Sequence, residues 1–211
     1  MNTQSYTQTR FSADNAALVL IDHQSGIMQL VHDYSPAEFR NNVIGLAKLG
    51  NVFKLPTVLT TSLGQGPNGP LIPEVLNLFP DVPVIDRPGI ISAWDDPKFV
   101  AAIEKTGRKN LIMAGVTIDV CLAFAAMQAV EAGYNVYGVV DASGALEVTI
   151  RENAVGRMRD YGITPINWTT VAARTAAELD PADRAGFGAG VPRPLSQLWP
   201  FDGQFRFGCG E

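Results

Sequence analysis

Three side chains of types that can act together follow apolar runs: Asp22 after Ala16–Ile21, Arg87 after Val82–Ile85, and Cys121 shortly after Leu111–Val116. A deprotonated thiol is a nucleophile, a carboxylate can take its proton, and a guanidinium can hold the negative charge that results. Cys121 has the most telling position. Leu111–Val116 reads as a buried strand, Thr117–Val120 as a turn, and Leu122 to about Ala132 as a strongly apolar helix. The thiol is then expected in the first turn of a helix, where free amide N–H groups and the helix dipole favour thiolate and can receive an oxyanion. Each residue also has a plainer reading. A free cysteine is commonly a small buried hydrophobe, a strand-end aspartate a turn cap, and an arginine a surface charge. Asp119 reads as the cap of the Cys121 helix, and Asp141 and Ser143 as rim or turn residues.

The elements that must position these groups alternate in type. Strands are expected at Ala16–Ile21, Thr57–Ser62, Val82–Ile85, Leu111–Val116, Asn135–Val140 and Thr164–Trp168. Helices are expected from Ser35-Pro36 to about Phe53, over Ile72–Leu78, from Asp96-Pro97 to about Thr106, after Cys121, and over Glu147–Tyr161. Gly64–Pro70 is rich in Gly, Pro and Asn and reads as a loop. Strands alternating with helices through short turns predict a three-layer α/β/α sandwich around a central parallel sheet. In such a sheet, sites form beyond the carboxyl ends of the strands, where Asp22, Arg87 and Cys121 stand. Residues 1–179 are read as this domain. Residues 180–211, in which Leu198, Trp199 and Phe201 occur without a clear period, are read as a tail packing on its own or a neighbouring subunit.

Composition narrows the function classes. Of 211 residues, 46% are hydrophobic and 18% charged, an apolar excess that predicts a homo-oligomer. A net charge of −5 argues against nucleic acid or anionic lipid as a partner. Two cysteines, Cys121 and Cys209, make no disulfide framework. Met1–Arg10 lacks the apolar core of a signal peptide, and no apolar run approaches the roughly 18 residues of a membrane span. These features predict a cytoplasmic protein with no membrane partner. His23 and His32 form no Cys/His cluster, no dinucleotide glycine fingerprint or phosphate loop occurs, and neither metal nor cofactor is expected. His23 is expected to point away from Asp22.

Several motifs resemble those of the isochorismatase-like cysteine hydrolases, and within them the YcaC-type subgroup. They are Leu20-Ile21-Asp22-His23-Gln24, Leu59-Thr60-Thr61-Ser62, Gly66-Pro67-Asn68-Gly69-Pro70-Leu71, Arg87-Pro88-Gly89-Ile90-Ile91-Ser92-Ala93-Trp94-Asp95, Gly115-Val116-Thr117-Ile118-Asp119-Val120-Cys121 and Val140-Asp141-Ala142-Ser143-Gly144. The resemblance spans about Asn15 to Ala173. It implies a Rossmann-like parallel sheet and a triad made of Asp22, Arg87 and Cys121, with arginine where the wider family usually has lysine. Arginine does not exchange protons, so Arg87 would act as a fixed charge. The resemblance also implies a cis peptide between Val116 and Thr117 and an oxyanion hole formed by the amides of Thr117 and Cys121. Two departures stand out: Ile118 where many relatives have threonine, and no histidines matching the metal site of the nicotinamidase branch. Vinyl-ether hydrolysis is not expected either, because the isochorismatases proper lack the cysteine.

The expected activity is metal-independent hydrolysis of a small amide or related C–N bond through a thioester. Leu63, Trp94 and Phe124 are candidate walls of a substrate pocket, and a higher-order ring is the subgroup's assembly. The alternative is an oligomeric binding or redox-sensing protein that keeps a reactive thiol with little turnover.

Overall fold

The computed structural model describes residues 11–176. Six strands form one sheet: β1 Ala16–Ile21, β2 Thr57–Ser62, β3 Val84–Arg87, β4 Asn110–Gly115, β5 Asn135–Val139 and β6 Thr164–Ile166. Every pairing is parallel and the order is β3-β2-β1-β4-β5-β6. The order reverses between β1 and β4, the place where a doubly wound sheet opens a crevice. Asp22 follows one of these two strands and the Cys121 turn follows the other.

Alternation along the strands sorts the core into two apolar layers. Leu18, Leu20, Leu59, Ile112, Ala114 and Val139 face one side, where they meet α1 (Pro36–Val52), α2 (Pro73–Leu78) and α6 (Trp168–Ala176). Ala17, Val19, Ile21, Val58, Leu111 and Met113 face the other, against α3 (Pro97–Lys105), α4 (Ala123–Glu131) and α5 (Val148–Asp160). Both faces of β1 and β4 are fully buried, which is why these strands read as unbroken apolar runs. Ser35 caps α1 ahead of Pro36, and Asp96 caps α3 ahead of Pro97, as the Ser-Pro and Asp-Pro pairs predict.

Four local readings are corrected. The β3 strand lies two residues later than Val82–Ile85, because Pro83 cannot donate to a ladder and the register pairs Ser62 with Arg87. Trp168 does not end β6; it opens α6, whose first amide N–H is taken by the Asp141 carboxylate at 2.9 Å. Cys121 lies not in an α-turn but in a π-helical turn, Ile118–Leu122, in which the Leu122 N–H reaches back to the Thr117 carbonyl at 3.2 Å. Asp119 makes no side-chain cap there, and its Oδ1 is buried without a hydrogen-bond partner. The tail proposed for residues 180–211, with Cys209 and Trp199, and the boundary at 179 lie outside the described residues. No helix among the described residues is long and apolar enough to cross a membrane.

Candidate active site

Asp22 is the first residue past β1, held in a left-handed conformation at φ 57°. Aspartate tolerates that region better than most side chains. Its backbone N–H still bonds the Thr60 carbonyl at 2.9 Å, so the residue is fixed to the sheet while its carboxylate turns into the crevice. Arg87 ends β3, two strands away across β2. Its guanidinium spans that gap and meets Asp22 in a two-pronged contact, Nη1–Oδ1 at 2.9 Å and Nη2–Oδ2 at 2.8 Å. Thr60, on the intervening strand, accepts from Nη1 at 2.8 Å and donates onward to the Ile85 carbonyl. Each member of the ion pair has a side chain only 1% exposed. A charge pair this deep needs nearly complete hydrogen bonding, and the fork geometry of arginine supplies it.

The Cys121 thiol is partly buried and hydrogen-bonds the Asp22 carboxylate. Burial pushes its pKa well above the ordinary thiol range, and the charge of Asp22 adds to the rise. A backbone hydrogen bond from Thr117 and the charge of Arg87 pull the other way without reversing it. Desolvation and the carboxylate thus outweigh the turn's amides, which agrees with a thiol whose proton the carboxylate must take. The peptide between Val116 and Thr117 is cis.

The three distant residues thus converge on one crevice. The pocket candidates divide. Leu63 stands beside the site, its N–H on the Arg87 carbonyl at 2.9 Å and its side chain half-exposed. Phe124 is exposed one turn beyond Cys121, with the Arg157 guanidinium over its ring. Trp94 is committed elsewhere: it packs edge-to-face on Phe99 and on Tyr134, which precedes β5 at the opposite end of the sheet. That packing is the core role that was the alternative to a pocket wall. His23 is fully buried and hydrogen-bonds the Ala142 carbonyl at 2.9 Å. Among the described residues no group of three His, Cys, Asp or Glu side chains is arranged to hold a metal.

Sequence reasoning passed over two supporting residues. Thr60 is one. Gln24 is the other: its side chain takes the Ser62 N–H at 2.8 Å and donates to the carbonyls of Ser62 and Gly69, tying the 63–70 loop to the end of β2. The available signal was polarity inside central, buried elements, since such groups must find partners.

The isochorismatase domain model matches residues 16–170. This chain belongs to the isochorismatase family. Within that family it is similar to "Probable hydrolase YcaC" of Escherichia coli (strain K12), with 48% identity over 163 residues, 77% of this chain and 78% of the relative. Solved structures agree. YcaC from Pseudomonas aeruginosa, solved with hexane-2,5-diol and covalent acrylamide, superposes with a TM-score of 0.85 at 45% identity, covering 93% of this chain and 95% of that one. The Escherichia coli YcaC structure, described as an octameric hydrolase of unknown specificity, gives a TM-score of 0.83 at 44% identity, covering 91% and 92%. The isochorismatase fold is thus shared, and the crevice described above lies within the matched region, residues 16–170.

Proposed function

We propose that this protein is a cysteine hydrolase that cleaves a small amide or related C–N bond without a metal. The observation that carries the reading is the buried contact of the Cys121 thiol with a carboxylate already locked to a guanidinium. Passing the thiol proton to Asp22 moves one negative charge from oxygen to sulfur beside the same Arg87. The trio keeps zero net charge, so the transfer buries no new charge. Arg87 serves both states as a fixed cation.

In the first half-reaction Asp22 takes the proton and the sulfur attacks the carbonyl carbon. The amides of Thr117 and Cys121 receive the oxyanion, and the C–N bond breaks as the amine leaves with the proton from Asp22. In the second half, water gives a proton to Asp22, attacks the thioester and releases the acid, and the proton returns to sulfur. The covalent acrylamide in the Pseudomonas aeruginosa relative supports the reading, because acrylamide is a small amide that alkylates accessible thiols. The octameric Escherichia coli relative supports a homo-oligomer here. A reducing cytoplasmic setting suits the free thiol.

The test is a screen of small amides against the parent and Cys121→Ala, with intact-mass detection of acyl adducts. The reading expects an adduct on Cys121 and no turnover in the variant. Equal hydrolysis by both proteins sinks it. A thiol that alkylates readily while no amide turns over favours the binding or redox-sensing alternative.

A further inference from the structure

His23 is buried and unused by the proposed chemistry. Burial depresses its pKa to about 4, so the ring is neutral and carries one N–H. Nε2 lies 2.9 Å from the Ala142 carbonyl, which can only accept, so the proton sits on Nε2. Nδ1 is bare, and among the described residues it has no partner.

Ala142 begins a three-residue platform beyond β5, and each residue of it takes one hydrogen bond from the crevice side. The Ala142 carbonyl takes the His23 Nε2–H. Ser143 Oγ accepts the Gly115 N–H at 3.1 Å and donates to the Val139 carbonyl at 2.6 Å. The Gly144 carbonyl takes the Ile118 N–H at 2.9 Å. Gly115 and Ile118 bracket the cis peptide; Gly115 ends β4 and Ile118 opens the π-turn that carries Cys121. The nucleophile turn is therefore fastened to residues 143 and 144, and the platform is fastened through residue 142 to the residue next to Asp22.

From this arrangement we infer that His23 is a positioning residue, whose single N–H sets the Cys121 turn at working distance from Asp22. The inference rests on the cysteine-hydrolase reading and deepens it. Without the donor, the Ala142 carbonyl is released from the residue after Asp22, and the turn keeps only the Val116 N–H bond to the Ile21 carbonyl at 3.1 Å and its own contact with Asp22. A misplacement of about 1 Å in such a constellation costs about 100-fold in rate.

The experiment measures alkylation of Cys121 by acrylamide in the full chain, followed by peptide mass spectrometry across pH 6 to 10 so that Cys209 is scored separately. His23→Leu removes the donor. His23→Gln offers an amide N–H at the position of Nε2. The leucine variant is expected to lower the Cys121 rate at neutral pH by about 10- to 100-fold, with the glutamine variant within about threefold of the parent. A merely structural histidine predicts that both variants lose thermal stability and that neither changes the rate–pH profile. If leucine alkylates like the parent, or both variants fall together, the inference is overturned. Should His23→Leu fail to fold, Ser143→Ala carries the same test: a matching fall supports the platform, and an unchanged rate overturns it. Asp22→Asn separates the two levels. If parent and Asp22→Asn alkylate alike, the hydrolase reading fails; if they differ while His23→Leu matches the parent, only the positioning role fails.

Discussion

Replacing Arg87 by methionine removes a charge but keeps most of the volume, and the structure sets the cost. The pair is 1% exposed on both sides, so Asp22 would be left charged and unpaired in the crevice. At about 4 Å and an effective dielectric of about 20, two unit charges attract by about 4 kcal/mol. Breaking one side of a buried pair is correspondingly worth about 3–5 kcal/mol. For a chain of this size that is about 6–20 °C in Tm. The assay is urea denaturation at fixed protein concentration, read by tryptophan fluorescence, on the parent, Arg87→Met, Asp22→Leu and the double variant. Both single variants should lose about 3 kcal/mol or more, and the double variant should recover much of it, because an apolar pair of similar volume leaves nothing charged behind. A single-variant loss below about 1 kcal/mol, or a double variant equal to the sum of the singles, would refute the claim that these groups hold each other.

Three further outcomes are expected. Burial raises the Cys121 pKa, so above about pH 8.5 the unfolded chain gives up this proton while the folded chain keeps it; stability should fall with rising pH by up to about 1.4 kcal/mol per unit. Cys121→Ser should lack that part of the decline, and identical curves from pH 8.5 to 9.5 would contradict it. His23 behaves oppositely: between pH 6.5 and about 4 the unfolded chain takes up a proton that the buried ring refuses. Acidification through that window should therefore cost about 3 kcal/mol in the parent and little in His23→Gln, as followed by pH-dependent denaturation. Gly144→Ala would set a methyl 2.4 Å from Val31 Cγ1, so it should lower stability by about 1–3 kcal/mol and Val31→Ala should recover part of the loss.

The parallel sheet was legible because β1 and β4 are buried on both faces and read as unbroken apolar runs. That Asp22 and Cys121 could meet was legible from strand-end geometry and from the family resemblance, and the strand order then sets the switch point between their strands. Arg87 was harder to place, because the two-residue shift of β3 depends on pairing with β2 and Pro83 is the only local sign of it. The balance of effects on the thiol was only half legible in the sequence. A helix end is visible in sequence, whereas the desolvation and the neighbouring carboxylate that outweigh it are properties of the assembled crevice. The packing of Trp94 was hidden likewise: its motif sits beside Arg87, but its ring meets Tyr134, 40 residues further along the chain. Thr60 and Gln24 stood in the motifs without a role because their partners, a guanidinium and backbone groups, come from other elements.

Because all six strands run the same way, the two rims of the sheet are unequal in what they tolerate. The turns at Gly107, Gly133 and Gly162, which return α3, α4 and α5 to the sheet, lie at the rim away from Cys121 with open space around them. That rim is where a reporter, an affinity handle or a new pair of termini could be grafted while the chemistry stays intact. The opposite rim offers no such licence, since nearly every connection there touches a neighbour that the crevice depends on.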